Sequence, residues 1–324
     1  MMQRWVFRVA SAPRYGGGHM ARSLILAHEM RSMRHSLDIG FVLDAESASW
    51  RERLAAAGFA VAEATGGISA AEDINIKVLF DHPERSLAAD IKGSGLVYID
   101  DDAAGLAGAS LIIHPHADLK GEAIGGVPAL CGLKYALIDS RWSYVSVPDP
   151  IKPIERILVT FGQIDTVNAT EQALQALLSI SNLPPIDVAL GNMAAHLEPL
   201  RQRFSSHAGV QLHIGRPQID DLVMTAGLTI GAAGVSLLER LAAGSISIAV
   251  AQNATQRRLL TALANTGAIL DGGDAWNFDQ SAFCHVVSSL FAKPDIRLRM
   301  RKCARFLIDG CGAKRVAKAI LTLQ

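Results

Sequence analysis

The sequence predicts an α/β protein made of two consecutive doubly wound domains. Short apolar segments alternate along the chain with segments in which apolar residues recur at helical spacing. The short segments are apolar on both faces, which is typical of parallel strands covered by helices on both sides. A length of 324 residues suits two domains of about 150 residues each.

The first half of the chain begins with a series of alternating strands and helices. Apolar runs predict strands at Trp5–Val9, Leu37–Leu43, Lys77–Phe80, Leu96–Ile99 and Ser110–His114. Helical spacing predicts helices at His19–Arg34, Ser47–Ala57 and Glu84–Lys92.

A proline-rich segment separates this series from a second one. Pro148, Pro150 and Pro153 lie between Trp142 and Glu155 and cannot continue a helix or a central strand. We therefore expect a first domain over residues 1–147 and a second over 148–324.

The second half repeats the alternation. Strands are predicted at Arg156–Phe161, Asp187–Leu190, Val210–Ile214, Leu228–Gly231, Ser247–Val250 and Ala268–Leu270. Helices are predicted at Thr170–Ile180, Leu197–Phe204, Ile219–Thr225, Leu237–Ala243, Gln256–Ala264, Asp295–Ile308 and Lys314–Leu323. Two such domains are expected to face each other across a cleft, with ligands at the carboxyl ends of the strands.

Charge and composition argue against several classes of partner. Lysine plus arginine number 31 and aspartate plus glutamate number 31, so neither nucleic acid nor an anionic membrane is implied. No apolar run approaches the roughly 18 residues of a membrane-spanning helix, and the N-terminal apolar stretch is too short for a signal peptide. The four cysteines lie far apart without a C-x-x-C pair, which favours free thiols over disulfides or a zinc site. These features predict a cytoplasmic protein without membrane insertion, and a monomer is favoured.

A glycine-rich turn follows the first predicted strand. The run from Tyr15 to Arg22 contains Gly17 and Gly18 directly before His19. Glycines let the backbone approach a ligand closely, and the N-terminus of the following helix favours an anion such as phosphate. A histidine at that rim can carry out proton transfer.

A second glycine-rich turn follows the predicted strand Leu228–Gly231. The backbone N–H groups of Gly234 and Val235 could hold a diphosphate, and Ser236 could donate its hydroxyl. Glu239 could accept hydrogen bonds from two hydroxyls of a ribose. The alternative is a tight turn with a solvated glutamate, and the spacing alone does not separate the two.

Two other strand ends carry polar side chains. Gly162 with Asp165 could approach a substrate, whereas Asn168 and Thr170 suit helix capping better. Asn253 and Gln256 could bind sugar hydroxyls or N-acetyl groups, with capping again the alternative.

The histidines outside the first turn do not form a metal-binding pattern. His82, His114 and His116 lack the i, i+4 spacing that places two ligands on one helical face. We therefore expect them to be surface or structural residues.

Taken together, these turns resemble those of a known family. The opening Gly16-Gly17-Gly18-His19 with Arg22 looks like a G-x-G-H-x-x-R motif, and Gly231-Ala232 with Gly234, Ser236 and Glu239 looks like G-A-G-G-S-T-x-W-E. Further ordered similarities are Phe7-Arg8, Tyr98-Ile99-Asp100-Asp101, Tyr135-Ala136-Leu137, Phe161-Gly162 with Asp165, and Asp309-Gly310 with Gly312-Ala313 and Arg315-Val316. The chain thus resembles, nearly end to end, the UDP-sugar hydrolases of pseudaminic (nonulosonic) acid biosynthesis and the related spore-coat polysaccharide proteins.

The resemblance implies a fold and a reaction. The fold is the GT-B architecture shared with MurG-like enzymes, with the last helix crossing back to the first domain. The reaction is hydrolysis of a UDP-linked 2,4-diacetamido-2,4,6-trideoxyhexose to free sugar and UDP, as in surface-glycan synthesis or flagellin glycosylation. No metal or other cofactor takes part, and His19 is the base that activates water. Gly17, Gly18 and Arg22 would contact the substrate, as would Gly162, Asp165, Asn253 and Gln256, while the second turn would hold UDP.

Several positions depart from the family pattern. Where the family has aspartate, tyrosine and paired glycines, this chain has Ala10, Pro83, Gln163 and Ala233, and Thr255 replaces an asparagine. Most of these differences lie in the part of the site that would bind the sugar, and Ala233 alone lies in the turn that would bind the nucleotide. Two alternatives therefore remain: a GT-B glycosyltransferase that uses a UDP-sugar donor, and a non-catalytic nucleotide-sugar-binding protein.

Overall fold

The computed structural model contains two compact α/β units. It describes residues 4–12, 15, 17–44, 47–63, 76–89, 91, 95–116 and 121–323. The first unit comprises Met1–Asp139 together with Cys311–Gln324, and the second comprises Ser140–Gly310. The proline-rich segment thus packs as part of the second unit, where Arg301 donates to the carbonyl of Pro148.

The first unit is built on an eight-stranded sheet. Its strands are β1 (Arg4–Val9), β2 (Asp38–Leu43), β3 (Ala60–Glu63), β4 (Ile76–Asp81), β5 (Leu96–Ile99), β6 (Ala109–His114), β7 (Ala123–Ile124) and β8 (Val127–Cys131). The spatial order is β3-β2-β1-β4-β5-β6-β8-β7, and every pair is parallel except β7 with β8. The order reverses between β1 and β4, so the carboxyl ends of these two strands flank the topological switch point of the sheet.

Three helices pack on one face of this sheet, within a single buried cluster. They are α1 (Gly18–Met33), α2 (Ala48–Ala56) and the last helix of the chain, α10 (Gly312–Leu321). Trp5 and Phe7 share one buried cluster with Met20 and Val316, whereas Phe80 belongs to a separate cluster. This burial on two faces explains why the strands are continuously apolar. The last helix packs on α1 and belongs to the first unit.

The predicted helix over Glu84–Lys92 is wrong for the described part of that segment. Only one 3-10 turn forms there, at Arg85–Ala88. Leu87 is 40% exposed, and Ala88 is the buried residue of the turn. The described residues offer the core Ala88 and Ile91, a narrower apolar stripe than a longer helix needs.

The second unit is built on a six-stranded parallel sheet. Its strands are β9 (Ile157–Thr160), β10 (Ile186–Leu190), β11 (Val210–Ile214), β12 (Leu228–Ala232), β13 (Ser247–Ala251) and β14 (Leu270–Asp274). The order is β11-β10-β9-β12-β13-β14, so the switch point lies between β9 and β12. The helices are α3 (Ala169–Leu178), α4 (Leu197–Phe204), α5 (Asp220–Thr225), α6 (Val235–Ala243), α7 (Ala254–Ala264), α8 (Gln280–Ala292) and α9 (Pro294–Leu307).

Some elements differ from the sequence prediction. The strand expected at Ala268–Leu270 lies further along, at Leu270–Asp274, where two glycines and two aspartates hide the apolar signal. The prediction also omitted β3, β7, β8 and α8. Of these, β3 has no buried residue and β7 has two residues, so neither carries a recognisable apolar run.

No helix among the described residues combines the length and the apolarity that crossing a lipid bilayer would require.

Candidate functional site

His19 and Asp81 meet at the switch point of the first sheet. His19 lies on the first turn of α1, for which Gly17 is the N-cap, and Asp81 is the last residue of β4. Asp81 pairs with Val9 at the end of β1, which brings the carboxylate next to the turn that starts α1. The His19 Nδ1 atom lies 2.7 Å from Asp81 Oδ1. Gly16 of the same turn lies outside the described residues.

The carboxylate of Asp81 is fixed by several donors. It is fully buried, and it accepts hydrogen bonds from Arg22 Nε at 2.8 Å and from the Ser23 hydroxyl at 3.0 Å. Burial alone would raise the pKa of Asp81, but the charges and hydrogen bonds of Arg22 and His19 outweigh it and lower the pKa. Arg22 Nη2 also lies 3.0 Å from His19 Nδ1, but its two N–H groups donate to Asp81 and Asp101. An ionised Asp81 can only accept, so Nδ1 of His19 carries a proton. The lone pair of the neutral imidazole is then on Nε2, and the imidazole can act as a base there.

Arg22 joins this pair to a second one. Its Nη1 and Nη2 atoms donate to the two carboxylate oxygens of Asp101 at 2.6 and 2.8 Å. His116 Nε2 lies 2.8 Å from Asp101 Oδ1. Burial opposes ionisation of Asp101, but Arg22 and His116 hold the pKa of that carboxyl well below its usual range. Since the guanidinium of Arg22 is engaged with two carboxylates, the geometry favours a positioning role over the predicted contact with substrate.

A third carboxylate shapes the start of the first turn. Asp44 follows β2 and accepts hydrogen bonds from the N–H groups of Ser11 at 2.9 Å and Ala12 at 3.1 Å. It also accepts from Arg8 Nη2 at 2.9 Å. Ala10, which stands where the resembled family has aspartate, is completely buried beside these groups. The carboxylate at this turn is therefore supplied by the neighbouring strand.

In the second unit, three turns lie at the carboxyl ends of the adjacent strands β9, β12 and β13. The first contains Gly162 with a φ of +85°, a conformation that favours glycine. Asp165 accepts hydrogen bonds from the N–H groups of Ala169 and Thr170, each at 2.9 Å. It also accepts from Gln252 Nε2 at 2.9 Å. Asp165 therefore caps α3, so the capping that we expected from Asn168 and Thr170 comes from a different residue.

Asn253 and Gln256 make a comparable arrangement at α7. Asn253 is the N-cap, and its side-chain oxygen accepts from the N–H of Gln256 at 2.9 Å. The Gln256 side-chain oxygen in turn accepts from the N–H of Gln252 at 3.0 Å. Asn253 therefore caps the helix, as the alternative interpretation expected. The side-chain amides of Asn253 and Gln256 both stabilise the turn after β13.

The third turn, between β12 and α6, differs from the other two. A Cβ atom on Gly231 would lie 2.0 Å from the carbonyl oxygen of Thr160, so glycine is required there. Gly234 is the N-cap, and within residues 121–323 no side chain caps the helix. The N–H groups of Val235 and Ser236 belong to the first turn of α6, where intrahelical acceptors are absent. They are available to bind an anion.

Glu239 lies on the same helix and is half-buried, which disfavours the alternative of a fully solvated glutamate. Burial raises the pKa of Glu239 to about 7, although nearby Arg240 and Arg141 act in the opposite direction. Its neighbour Trp142 belongs to a 3-10 turn at Ser140–Ser143. A carboxyl with such a pKa changes its charge near neutral pH.

Within the part of the chain that the structure describes, no group of three or more histidine, cysteine, aspartate or glutamate side chains could hold a metal ion.

Comparison with solved structures establishes the fold. MurG of Acinetobacter baumannii superposes with a TM-score of 0.66 at 13% identity, over 98% of this chain and 99% of that chain. The GT-B fold of that protein is built, like this chain, from two Rossmann-like domains with parallel sheets. This chain has the GT-B fold. The predicted fold class is thereby confirmed.

Two further GT-B structures match with the same TM-score of 0.65. Anabaena HepE in complex with UDP and glucose is 11% identical, with all of both chains covered. The spinosyn rhamnosyltransferase SpnG is 12% identical, over 98% of this chain and 100% of that chain. At such identities these similarities concern the fold alone.

Sequence comparison gives weaker information. No family model matches the chain. The spore coat polysaccharide biosynthesis protein SpsG of Bacillus subtilis (strain 168) is 24% identical over 174 residues. These residues make up 53% of this chain and 51% of that protein, so the match spans about half of the relative's length.

Proposed function

We propose that the protein is a glycosyltransferase that uses a UDP-sugar donor. The observation that carries this proposal is the uncapped glycine turn at the N-terminus of α6, beside the switch point of the second sheet. This is where doubly wound domains bind ligands, and it presents N–H donors to an anion. The fold is shared with a rhamnosyltransferase and with a protein solved with UDP and glucose, which supports the same class of donor.

In this proposal the diphosphate binds the turn before α6. Gly234 lets the phosphates approach, the N–H groups of Val235 and Ser236 donate to them, and the Ser236 hydroxyl adds a further donor. Glu239 accepts hydrogen bonds from the ribose hydroxyls. Gly162 allows close approach after β9, whereas the Asp165, Asn253 and Gln256 side chains keep the surrounding turns in place.

His19 is the proposed base. Nε2 of the imidazole takes the proton from an acceptor hydroxyl, while the hydroxyl oxygen forms a bond to the anomeric carbon. The bond between that carbon and the diphosphate oxygen breaks, and UDP leaves with the bonding electrons. Asp81 stabilises the imidazolium that forms, as carboxylates do for other catalytic histidines. Gly17 and Gly18 let the substrate approach this histidine, and Arg22 holds Asp81 in place.

A UDP-sugar hydrolase is the second candidate. The same His19–Asp81 pair can accept a proton from water, and the ordered motifs resemble those of such hydrolases. A diacetamido-trideoxy sugar would then be the substrate. The GT-B structures named above favour the transferase.

One assay separates the candidates. The purified protein is incubated with a panel of UDP- and CMP-sugars, with and without a mixture of glycan acceptors, and nucleotide release is followed. We expect release of UDP that depends on the acceptor. Acceptor-independent release, with ¹⁸O from labelled water entering the free sugar, would identify a hydrolase instead. Binding of UDP-sugars without any release would indicate a non-catalytic binder, and absence of binding would overturn the proposal.

A further inference from the structure

A buried guanidinium lies directly beneath the turn before α6. Arg240 is 1% exposed, yet it has no carboxylate within ion-pair distance among residues 121–323. Its Nη1 atom donates to the Ser236 hydroxyl at 3.3 Å, and Nη2 donates to the carbonyl of Ala232 at 3.4 Å. Its Nε atom is buried without a hydrogen-bond partner in that part of the chain. Removing a charge from water with such long, incomplete contacts is energetically costly.

The neighbouring carboxyl does not remove this cost. Glu239 is the adjacent residue, but burial raises its pKa to about 7, so it is only partly ionised near neutral pH. Burial also lowers the pKa of Arg240 to about 10, so the guanidinium remains charged there. The turn before α6 therefore carries a net positive charge besides that of the helix dipole.

The contact between Arg240 and Ser236 also sets the direction of the serine hydroxyl. A guanidinium can only donate, so Ser236 Oγ must act as the acceptor. The single hydroxyl proton is then directed away from Arg240 and is available to an acceptor on the open side of the turn. Ser236 is the second residue of α6, so this donor stands beside the free N–H groups of the helix N-terminus.

We propose that Arg240 is a positioning residue that presets Ser236 as a hydrogen-bond donor and supplies the buried counter-charge for the diphosphate of the bound nucleotide. The inference rests on the proposed function, because it assigns Arg240 to the same nucleotide site. The negative charge of the diphosphate would compensate the guanidinium of Arg240, both in the bound UDP-sugar and in the UDP that is released. We therefore expect Arg240 to discriminate UDP from uridine, which lacks the charged groups.

Calorimetric titration with UDP, uridine and inorganic pyrophosphate tests the inference. In Arg240→Met, UDP should bind about tenfold more weakly, whereas uridine affinity should change by less than about twofold. Arg240→Lys keeps the positive charge but loses the contact with both Ser236 and Ala232. It should therefore weaken UDP binding less than Arg240→Met does. In a Ser236→Ala background, Arg240→Met should weaken UDP binding by a smaller factor than in the wild type, because the preset hydroxyl is already lost and only the counter-charge remains to be removed.

Arg297→Met is the matched control. Arg297 is also a buried guanidinium, but it donates to the carbonyls of Pro150 and Lys152, away from the turn. Its replacement should lower stability without altering the ratio of UDP to uridine affinity. If Arg240→Met does not fold, the same comparison is made with Arg240→Lys.

The outcomes separate this inference from the proposed function. Equal weakening of UDP and uridine would overturn the counter-charge, and fully additive effects of Arg240→Met and Ser236→Ala would overturn the presetting of Ser236, while UDP binding still stands in both cases. If the wild-type protein binds pyrophosphate but not UDP, the proposed function fails, and the same variants test Arg240 with pyrophosphate. If it binds neither, both are overturned.

Discussion

Nδ1 of His19 and Oδ1 of the completely buried Asp81 lie 2.7 Å apart. The carboxylate selects the tautomer whose basic nitrogen is Nε2, and it stabilises the charge that forms when the imidazole takes a proton. The charge of Arg22 keeps the carboxylate ionised, and hydrogen bonds from Arg22 and Ser23 hold it in place. The pair therefore has the geometry of a general base before any substrate binds.

Replacing His19 by alanine should lower turnover of the nucleotide sugar by about 100-fold or more, because the proton acceptor is lost. UDP affinity should stay unchanged, since the proposed nucleotide contacts come from α6. Nucleotide release and UDP titration measure the two effects. His28→Ala is a matched control on the same helix, as His28 packs against Phe59 instead of Asp81. Unchanged turnover in His19→Ala would remove this histidine from the mechanism.

Asp81→Asn should lower turnover by roughly 10²- to 10⁴-fold, because a neutral amide no longer enforces the tautomer. The substitution also leaves Arg22 with a single carboxylate, so some loss of stability is expected. Asp101→Asn serves as the comparison, because it weakens the hold on Arg22 from its other carboxylate but leaves the hydrogen bond that His19 donates to Asp81. Losses of turnover that are equal in the two variants would contradict a specific role for Asp81.

Glu239 should make stability depend on pH. Its folded pKa of about 7 lies above the ordinary value of 4.5, so the folded state keeps a proton that the unfolded state releases between these values. The stabilisation from protonated Glu239 is fully present below about pH 4.5 and is lost as the pH rises through 7. Relative to the wild type, Glu239→Gln should therefore gain about 1–3 kcal/mol in unfolding free energy between pH 4.5 and pH 8.

Urea unfolding at several pH values measures this gain. Glu198→Gln is the control, because the Glu198 side chain is 66% exposed on α4. Parallel stability curves for Glu239→Gln and the wild type would show that Glu239 titrates normally.

Two glycines of the same turn should respond differently to alanine. In Gly231→Ala, the added Cβ would lie 2.0 Å from the Thr160 carbonyl oxygen, so a loss of about 1–3 kcal/mol or more is expected. In Gly234→Ala, the nearest atom outside the adjoining residues is 3.8 Å away, and the change in stability should stay within about 1 kcal/mol. Gly234→Ala should instead weaken UDP binding. Denaturation and UDP titration together check both expectations, and equal destabilisation would contradict them.

Asn253→Ala should destabilise the protein by about 1 kcal/mol, as expected for the loss of an N-cap. Affinity for the UDP-sugar should change little if capping is its main role. Asp279→Ala removes the analogous cap of α8 and provides the reference loss. A fall in UDP-sugar affinity at unchanged stability would instead support the sugar contact predicted from the sequence.

The local pattern of the sequence was sufficient for most of the fold. The strand Leu96–Ile99 and the helix Leu197–Phe204 have the predicted bounds, because each depends on apolar spacing within a few residues. The helix expected at Glu84–Lys92 failed in its described part, where contact with the core is limited to Ala88 and Ile91. A helix needs a tertiary surface as well as a local preference.

For the site, the sequence by itself determined where the reactive turns lie, since a glycine-rich turn between an apolar strand and a helix is a local pattern. Only the tertiary structure decided what these residues contact. Asp81 is 62 residues from His19 along the chain, and the two meet because β4 lies beside β1 in the sheet. In the sequence, nothing distinguishes Arg240 from other arginines in predicted helices. It is a buried cation because α6 packs against β12. Neighbours in a parallel sheet are set by chain crossover, which no short stretch of sequence records.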